Sequence, residues 1–278
     1  MPKRPRRPPE GDGLADAVER LRRGELTPAA FMERVAPYAV HEVAGVAKLD
    51  TGRHARTGAS EAVLADGKDD ALLAKVVREA VRASGRCLVT RLPPGRARKL
   101  KRALRGLTTS VDTTAHAAVV SNGRTRPRRT GGKVAIVTAG SSDLRAAGEA
   151  RLAAEEQGCR VIMFTDVGVA GIHRLFPAIR RIEQEGVHAV IVAAGMDGAL
   201  PSVVGGLTSA PTIGLPISSG YGVGGRGEAA LFSILQSCAP GVGVVNIDNG
   251  YGAGVLAAKI ANTAARASGP AHRARREG

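Results

Sequence analysis

V-A-I-V-T-A-G-S-S-D-L-R-A-A-G-E-A-R-L-A-A-E-E-Q-G-C-R-V-I-M-F, residues 134–164, decides how this chain folds. It opens with a short apolar, β-branched run at 134–138, breaks at small polar residues, continues as a helix over about 143–157 and returns to an apolar run at 161–164. Two buried strands joined by a helix are the unit of a parallel sheet covered on both faces. The alternation repeats to the C-terminus, with strands expected at 189–193, 212–216 and 242–247 and helices at about 173–185, 198–208, 227–237 and 251–262. The pattern predicts a doubly wound α/β domain with right-handed crossovers.

Upstream the pattern is less regular. Residues 14–23 and 28–37 read as two short helices, the second with Thr27 as N-cap and Pro28 at its first position. A polar, irregular stretch at 41–61 precedes a helix at about 71–83, a strand at 87–90, a basic helix starting at Pro93-Pro94 and an apolar run at 115–120. The expected organisation is a basic disordered tail (1–13), a mixed α+β domain (14–123), a linker (124–132), the α/β domain (133–263) and a second basic tail (264–278).

Composition bounds the partners. The chain has 278 residues, 44% of them hydrophobic, which is ample for a buried core. Its net charge of +15 is concentrated in the tails, the linker and residues 91–105, where seven basic residues meet no acidic one. Trp is absent and aromatics make up 3%, so a stacking platform for single strands is poorly supplied, which argues against nucleic acid as a partner. Three cysteines at unrelated spacings form neither a disulfide framework nor a metal knuckle. With no secretory signal and no apolar run of about 18 residues, the expected setting is a reducing cytoplasm, away from membranes.

Loops at the carboxyl ends of parallel strands gather on one edge, and here those loops carry the unusual residues. They read A-G-S-S-D-L (139–144), T-D-V-G-V-A-G-I-H-R (165–174), A-G-M-D-G-A-L-P-S (194–202), S-S-G-Y-G-V-G-G-R-G-E (218–228) and N-I-D-N-G-Y-G (246–252). Ser141, Ser142 and Asp143 at a helix start suit a phosphate, although Asp143 is equally a plain N-cap. Gly222, Gly224 and Gly227 match G-x-G-x-x-G after the fourth strand instead of the first, which favours a phosphate cradle with Arg226 over a dinucleotide fingerprint. Asp197, an acid among Gly, Ala and Met at a strand end, is costly unless used or paired. His173, after Gly171, reads as either a helix-start cap or a functional group. Cys87 and Cys159 border apolar runs and read as core residues. Cys238 lies between a helix and a strand, beside the glycine loop and the Asn246–Gly250 turn; its position suits a reagent on the ligand edge or a small filler under a loop.

Together these blocks resemble the LarB family, the enzymes that begin synthesis of the nickel-pincer nucleotide cofactor. The likeness extends upstream through V-A-K-L-D (46–50), Arg53 and Arg56, Gly67-Lys68 and L-V-T-R (88–91). It implies a PurE-like, flavodoxin-like three-layer catalytic domain, similar to the aminoimidazole ribonucleotide carboxylases that are the alternative reading. Those carboxylases carry a histidine in an A-H-L-P-G loop where this chain has Met196-Asp197-Gly198-Ala199-Leu200-Pro201, and they lack a counterpart of Cys238.

The resemblance implies carboxylation of the pyridinium ring of nicotinic acid adenine dinucleotide by CO2, and hydrolysis of its phosphoanhydride to release AMP. Cys238 is implied as the transient nucleophile and Asp197 as the base, with His173 beside them. Asp197 stands where the family carries Glu, one methylene longer. Ser141, Ser142, Asp143, Asp166, Gly195, Gly220, Gly222, Arg226 and Asp248 would hold the dinucleotide. No cofactor is required by the sequence; magnesium is compatible with phosphoanhydride cleavage, but no ligand cluster demands it. The family's assembly is a homo-octamer with sites between subunits.

Overall fold

A computed structural model describes residues 14–268 except Ala44 and Val46. The expected tail at 1–13 and residues 269–278 of the other lie outside the described residues. Two compact units divide between Glu61 and Ala62.

The first unit contains α1 (Leu14–Arg22) and α2 (Pro28–Val35), where the Thr27 side chain accepts a hydrogen bond from the Ala30 amide and caps the helix. Residues 41–61 are more ordered than their polarity suggests. They form an antiparallel pair, β1 (His41–Val43) and β2 (Ala47–Leu49), followed by the short α3 (Arg53–Thr57).

The second unit contains both larger sheets. The smaller one is built from β3 (Ala62–Leu64), β4 (Arg86–Thr90), β5 (Thr108–Asp112) and β6 (Ala117–Ser121) in the order β3-β4-β6-β5, parallel at β3/β4 and antiparallel elsewhere. Helices α4 (Asp70–Ser84) and α5 (Pro94–Ala103) belong to it. Asp69 caps α4 through the Leu72 amide, and Gly85 ends it in the left-handed conformation that L residues disfavour.

The larger sheet is all parallel. It comprises β7 (Lys133–Thr138), β8 (Arg160–Phe164), β9 (Ala189–Ala194), β10 (Thr212–Pro216) and β11 (Val242–Val244), in the order β11-β10-β9-β7-β8. Counting from β7, this is the 2-1-3-4-5 order of the flavodoxin-like fold, with its switch point between β7 and β9. The predicted doubly wound fold is therefore observed. On one face, α6 (Leu144–Glu156) and α10 (Gly250–Ala267) cover Val134, Ile136, Ile191, Ile213 and Leu215. On the other, α7 (Leu175–Glu185) and α8 (Leu200–Gly205) cover Val137, Val190 and Val192, and Ile234 of α9 (Glu228–Leu235) packs on Gly214.

Helices α6 and α10 meet almost backbone to backbone. A Cβ added to Gly250 or Gly254 would stand 2.2 Å from the Ala146 carbonyl oxygen or 2.3 Å from that of Ala150. The outer side of α6 serves the smaller sheet: Gly148 passes so close to Ala115 that a Cβ would lie 2.8 Å from its methyl group. Arg86 makes a two-pronged pair with Glu156 at 2.9 and 2.6 Å, and Arg151 reaches Asp112 at 2.7 Å.

Three expectations change in detail. Strand β11 ends at Val244 instead of 247, because the chain turns at Asn246, whose side chain accepts from the Ile247 amide, and Asp248 adopts φ 55°. Helix α7 starts at Leu175, leaving His173 in a preceding 3-10 segment, Val169–Arg174. Helix α10 runs to Ala267, past 263 and into the segment read as a tail. The segment read as a linker is tethered at its end, since the Thr130 amide and hydroxyl both donate to the Gly158 carbonyl. No helix among the described residues is long and apolar enough to cross a membrane.

Candidate functional site at the switch point

At the carboxyl end of β7 the chain passes through Ala139-Gly140 into a 3-10 turn, Ser141–Asp143. Asp143 is buried and turned onto its own loop, accepting from the Gly140 amide at 2.8 Å and the Ser142 hydroxyl at 3.2 Å. Burial lifts its carboxyl above the ordinary value, and those donors offset only part of the rise. Asp143 thus shapes the loop, while Ser141 and Ser142 face solvent where a ligand can meet them.

Three more loops close on this turn. After β8, Gly168 passes under Ala139 so tightly that a Cβ would lie 2.7 Å from the Ala139 oxygen. Asp166 on the same loop is exposed and paired with Arg174 at 2.9 Å, and His173 is exposed. After β9, Gly198 packs against the first turn of α9, with no room for a Cβ beside the Ala230 backbone at 2.7 Å. Asp197 is exposed and accepts only a long, 3.5 Å contact from the Ala199 amide. The burial cost anticipated for Asp197 is therefore absent: the side chain is exposed, on the loop that follows the left-handed Met196 (φ 50°). After β10, Ser219 reaches Ser142 at 3.4 Å, and Gly220 lies where a Cβ would be 3.2 Å from the Met196 amide, opposite Gly195. Gly222 and Arg226, farther along, are exposed.

Asp248, after β11, accepts from the Ser218 amide (3.1 Å), the Ser218 hydroxyl (2.5 Å) and Arg145 (2.9 Å). Burial pulls its carboxyl upward, but Ser218 and Arg145 outweigh that and hold it below the usual carboxylate value. The sequence reading missed the groups behind it. Arg91, at the end of β4 and with φ 52°, donates to the Asp248 carbonyl at 3.2 Å. Glu149 on α6 is buried, and burial pushes its carboxyl up to about 7 despite the attraction of Arg91 and Arg145. The signal for Glu149 was an acid set among the small residues of the first half of α6, ahead of Glu155 and Glu156; Arg91 stood out only as the last residue of L-V-T-R (88–91), and nothing local pointed to its contact, which spans 157 residues.

The thiol is the correction. Cys238 is exposed, whereas Cys87 and Cys159 are buried. It does not lie on the ligand edge of its own chain. The 218–227 loop leaves the carboxyl end of β10, and the eight residues of α9 then carry the chain back about 12 Å to the amino end of the sheet, where Cys238 precedes β11. Its neighbour Ala239 is near Gly205 at the end of α8, and the Gly241 carbonyl accepts from the Thr212 amide at the start of β10. Ser141, Ser142, Gly195, Gly220 and Asp248 come together; Cys238 does not join them.

Comparison with known proteins assigns this architecture. The AIR carboxylase family model matches residues 133–276, and the LarB/PurE-like N-terminal domain model matches residues 41–122. The chain belongs to the LarB family. An uncharacterized protein of Methanocaldococcus jannaschii is 38% identical over 256 residues, covering 90% of this chain and 98% of the relative. The N5-carboxyaminoimidazole ribonucleotide mutase of Thermotoga maritima is 32% identical over 135 residues, 46% of this chain and 74% of the mutase. That of Pyrococcus horikoshii is likewise 32% identical, over 133 residues. The family supports an enzyme of the carboxylase or mutase type. Two matched segments in one chain separate the LarB-type architecture from the mutases, whose alignments cover less than half of this chain.

Proposed function

We propose that this protein carboxylates the pyridinium ring of nicotinic acid adenine dinucleotide with CO2 and hydrolyses the phosphoanhydride, giving pyridinium-3,5-biscarboxylic acid mononucleotide and AMP. The exposed thiol of Cys238, in a LarB-type chain whose other two cysteines are buried, carries the reading. A pyridinium ring is electron-poor and does not attack CO2. Addition of the Cys238 thiolate para to the ring nitrogen moves an electron pair onto the nitrogen and leaves an enamine whose adjacent carbon is nucleophilic. That carbon bonds CO2, Asp197 removes its proton, and expulsion of the thiolate restores the aromatic ring. Water then cleaves the phosphoanhydride.

The exposed hydroxyls of Ser141 and Ser142 and the 218–227 loop suit the phosphates. Exposed Asp166, His173 and Arg226 on neighbouring loops suit the nucleotide's periphery. Among the described residues no three His, Cys, Asp or Glu side chains cluster as metal ligands; magnesium, if used, would arrive on the substrate phosphates.

Asp197 and Cys238 stand at opposite edges of one sheet, so this chemistry requires the thiol of a second copy. Phe232 and Leu235, exposed on α9 beside the thiol, give such a copy an apolar face to cover. A homo-oligomer, the octamer of the family, meets that requirement.

The test is incubation with nicotinic acid adenine dinucleotide and labelled CO2, following AMP and label in the pyridine product. Both should appear with the wild type, and label should vanish with Cys238→Ala. Absence of both products, or conversion of N5-carboxyaminoimidazole ribonucleotide in their place, overturns the proposal.

A further inference from the structure

Asp248 spends three of its roughly four lone-pair sites on its own chain. Its side chain is 12% exposed, Oδ1 accepts from the Ser218 amide, and Oδ2 accepts from both the Ser218 hydroxyl and Arg145. Its backbone is held as firmly: its amide donates to the Pro216 carbonyl at 2.9 Å, and its carbonyl accepts from Arg91 at 3.2 Å. A left-handed aspartate costs on the order of 1 kcal/mol, so these bonds hold a conformation the chain would otherwise avoid.

Ser218 is the first residue of the 218–227 loop, and the loop's last residue leans on the same turn. A Cβ on Gly227 would stand 2.9 Å from Ile247. Between these ends the loop is glycine-rich and exposes Tyr221 and Val223.

We propose that Asp248 is a positioning residue and not a ligand of the substrate: it clasps Ser218, fixes both ends of the glycine loop and thereby sets Ser219 against Ser142 of the phosphate loop. Arg91 makes the smaller sheet part of this clasp. The inference rests on the reading of 218–227 as part of the substrate site, but the clasp itself can be judged without substrate.

Arg226 lies exposed within the loop and gives trypsin a reporter. With the full-length protein, Asp248→Ala should raise the rate of cleavage after Arg226 about tenfold, as expected when a loop loses charge-assisted anchors, and leave cleavage after Arg174 unchanged. Asp248→Asn, which keeps an acceptor for the Ser218 amide, should restore much of the protection. If Asp248→Ala does not fold, Ser218→Ala removes the hydroxyl bond alone and should still raise cleavage after Arg226 about threefold. Unchanged cleavage after Arg226 in the folded variants overturns the proposal. In turnover with nicotinic acid adenine dinucleotide, Asp248→Ala should raise KM more than it lowers kcat, with Asn intermediate. A wild type that turns over no dinucleotide refutes the proposed function and leaves the digestion result to decide the clasp.

Discussion

At the carboxyl edge of the parallel sheet, Asp143 and Asp248 are buried, bonded on both oxygens and surrounded by loops that touch one another. At the amino edge Cys238 is exposed at the end of a short helix, with apolar side chains beside it. One edge is organised within the chain; under the proposed function the other is completed by a second copy. The difference follows from connectivity: a residue after a strand and before its helix reaches the ligand edge, whereas one after the helix is returned to the far side.

Mixing is the most severe way to break this contrast. Cys238→Ala and Asp197→Asn should each lose on the order of a thousandfold in carboxylation, yet dissociated and reassembled together they should regain about a quarter of wild-type activity, because some sites receive both intact residues. A mixture as inactive as its parts would place both groups in one chain. Next, Gly250→Ala drives a methyl group onto the Ala146 carbonyl directly behind Asp248. It should cost about 3 kcal/mol and lower Tm by several degrees, while alkylation of Cys238 keeps its wild-type rate in the folded protein. Faster alkylation would mean the two edges are not independent.

Glu149 gives the carboxyl edge a pH signature. Its folded value is raised from 4.5 to about 7, so the folded state holds the extra proton between those limits and stability falls as pH rises through that window. Glu149→Gln removes the penalty: unfolding at pH 8 should show a gain of about 2–3 kcal/mol, and at pH 4 almost none. The smallest effect is expected from Asp197→Glu. The exposed Asp197 loop can take one more methylene, and kcat should change by less than about tenfold in either direction.

The parallel domain was legible because each strand is a short β-branched run between glycine-rich turns, a pattern that sequence carries locally. β1 (His41–Val43), β3 (Ala62–Leu64) and β5 (Thr108–Asp112) were not: the first two have three residues each and, unlike the equally short β11, lie outside any regular alternation, and β5 reads T-T-S-V-D with no apolar run. At the site, Ser141, Ser142 and Gly195 could be placed from their loops alone. For Asp143 the sequence leaves a phosphate ligand and an N-cap equally open, and for Asp248 it suggests a ligand; the direction of each side chain depends on partners such as Gly140 and Ser218 that only the folded loop supplies. Cys238 departs from the ligand-edge reading for a simpler reason: it is near the glycine loop in sequence, but helix α9 separates the two in space.

Helix α6 touches one sheet through its alanines and the other through Gly148, Arg151 and Glu156. A wall shared so closely cannot open for one occupant alone. Amide protons on β4 and β6 should therefore exchange in the same cooperative event as those on β7 and β9, and heat should melt the two sheets in one transition despite their separate family signatures.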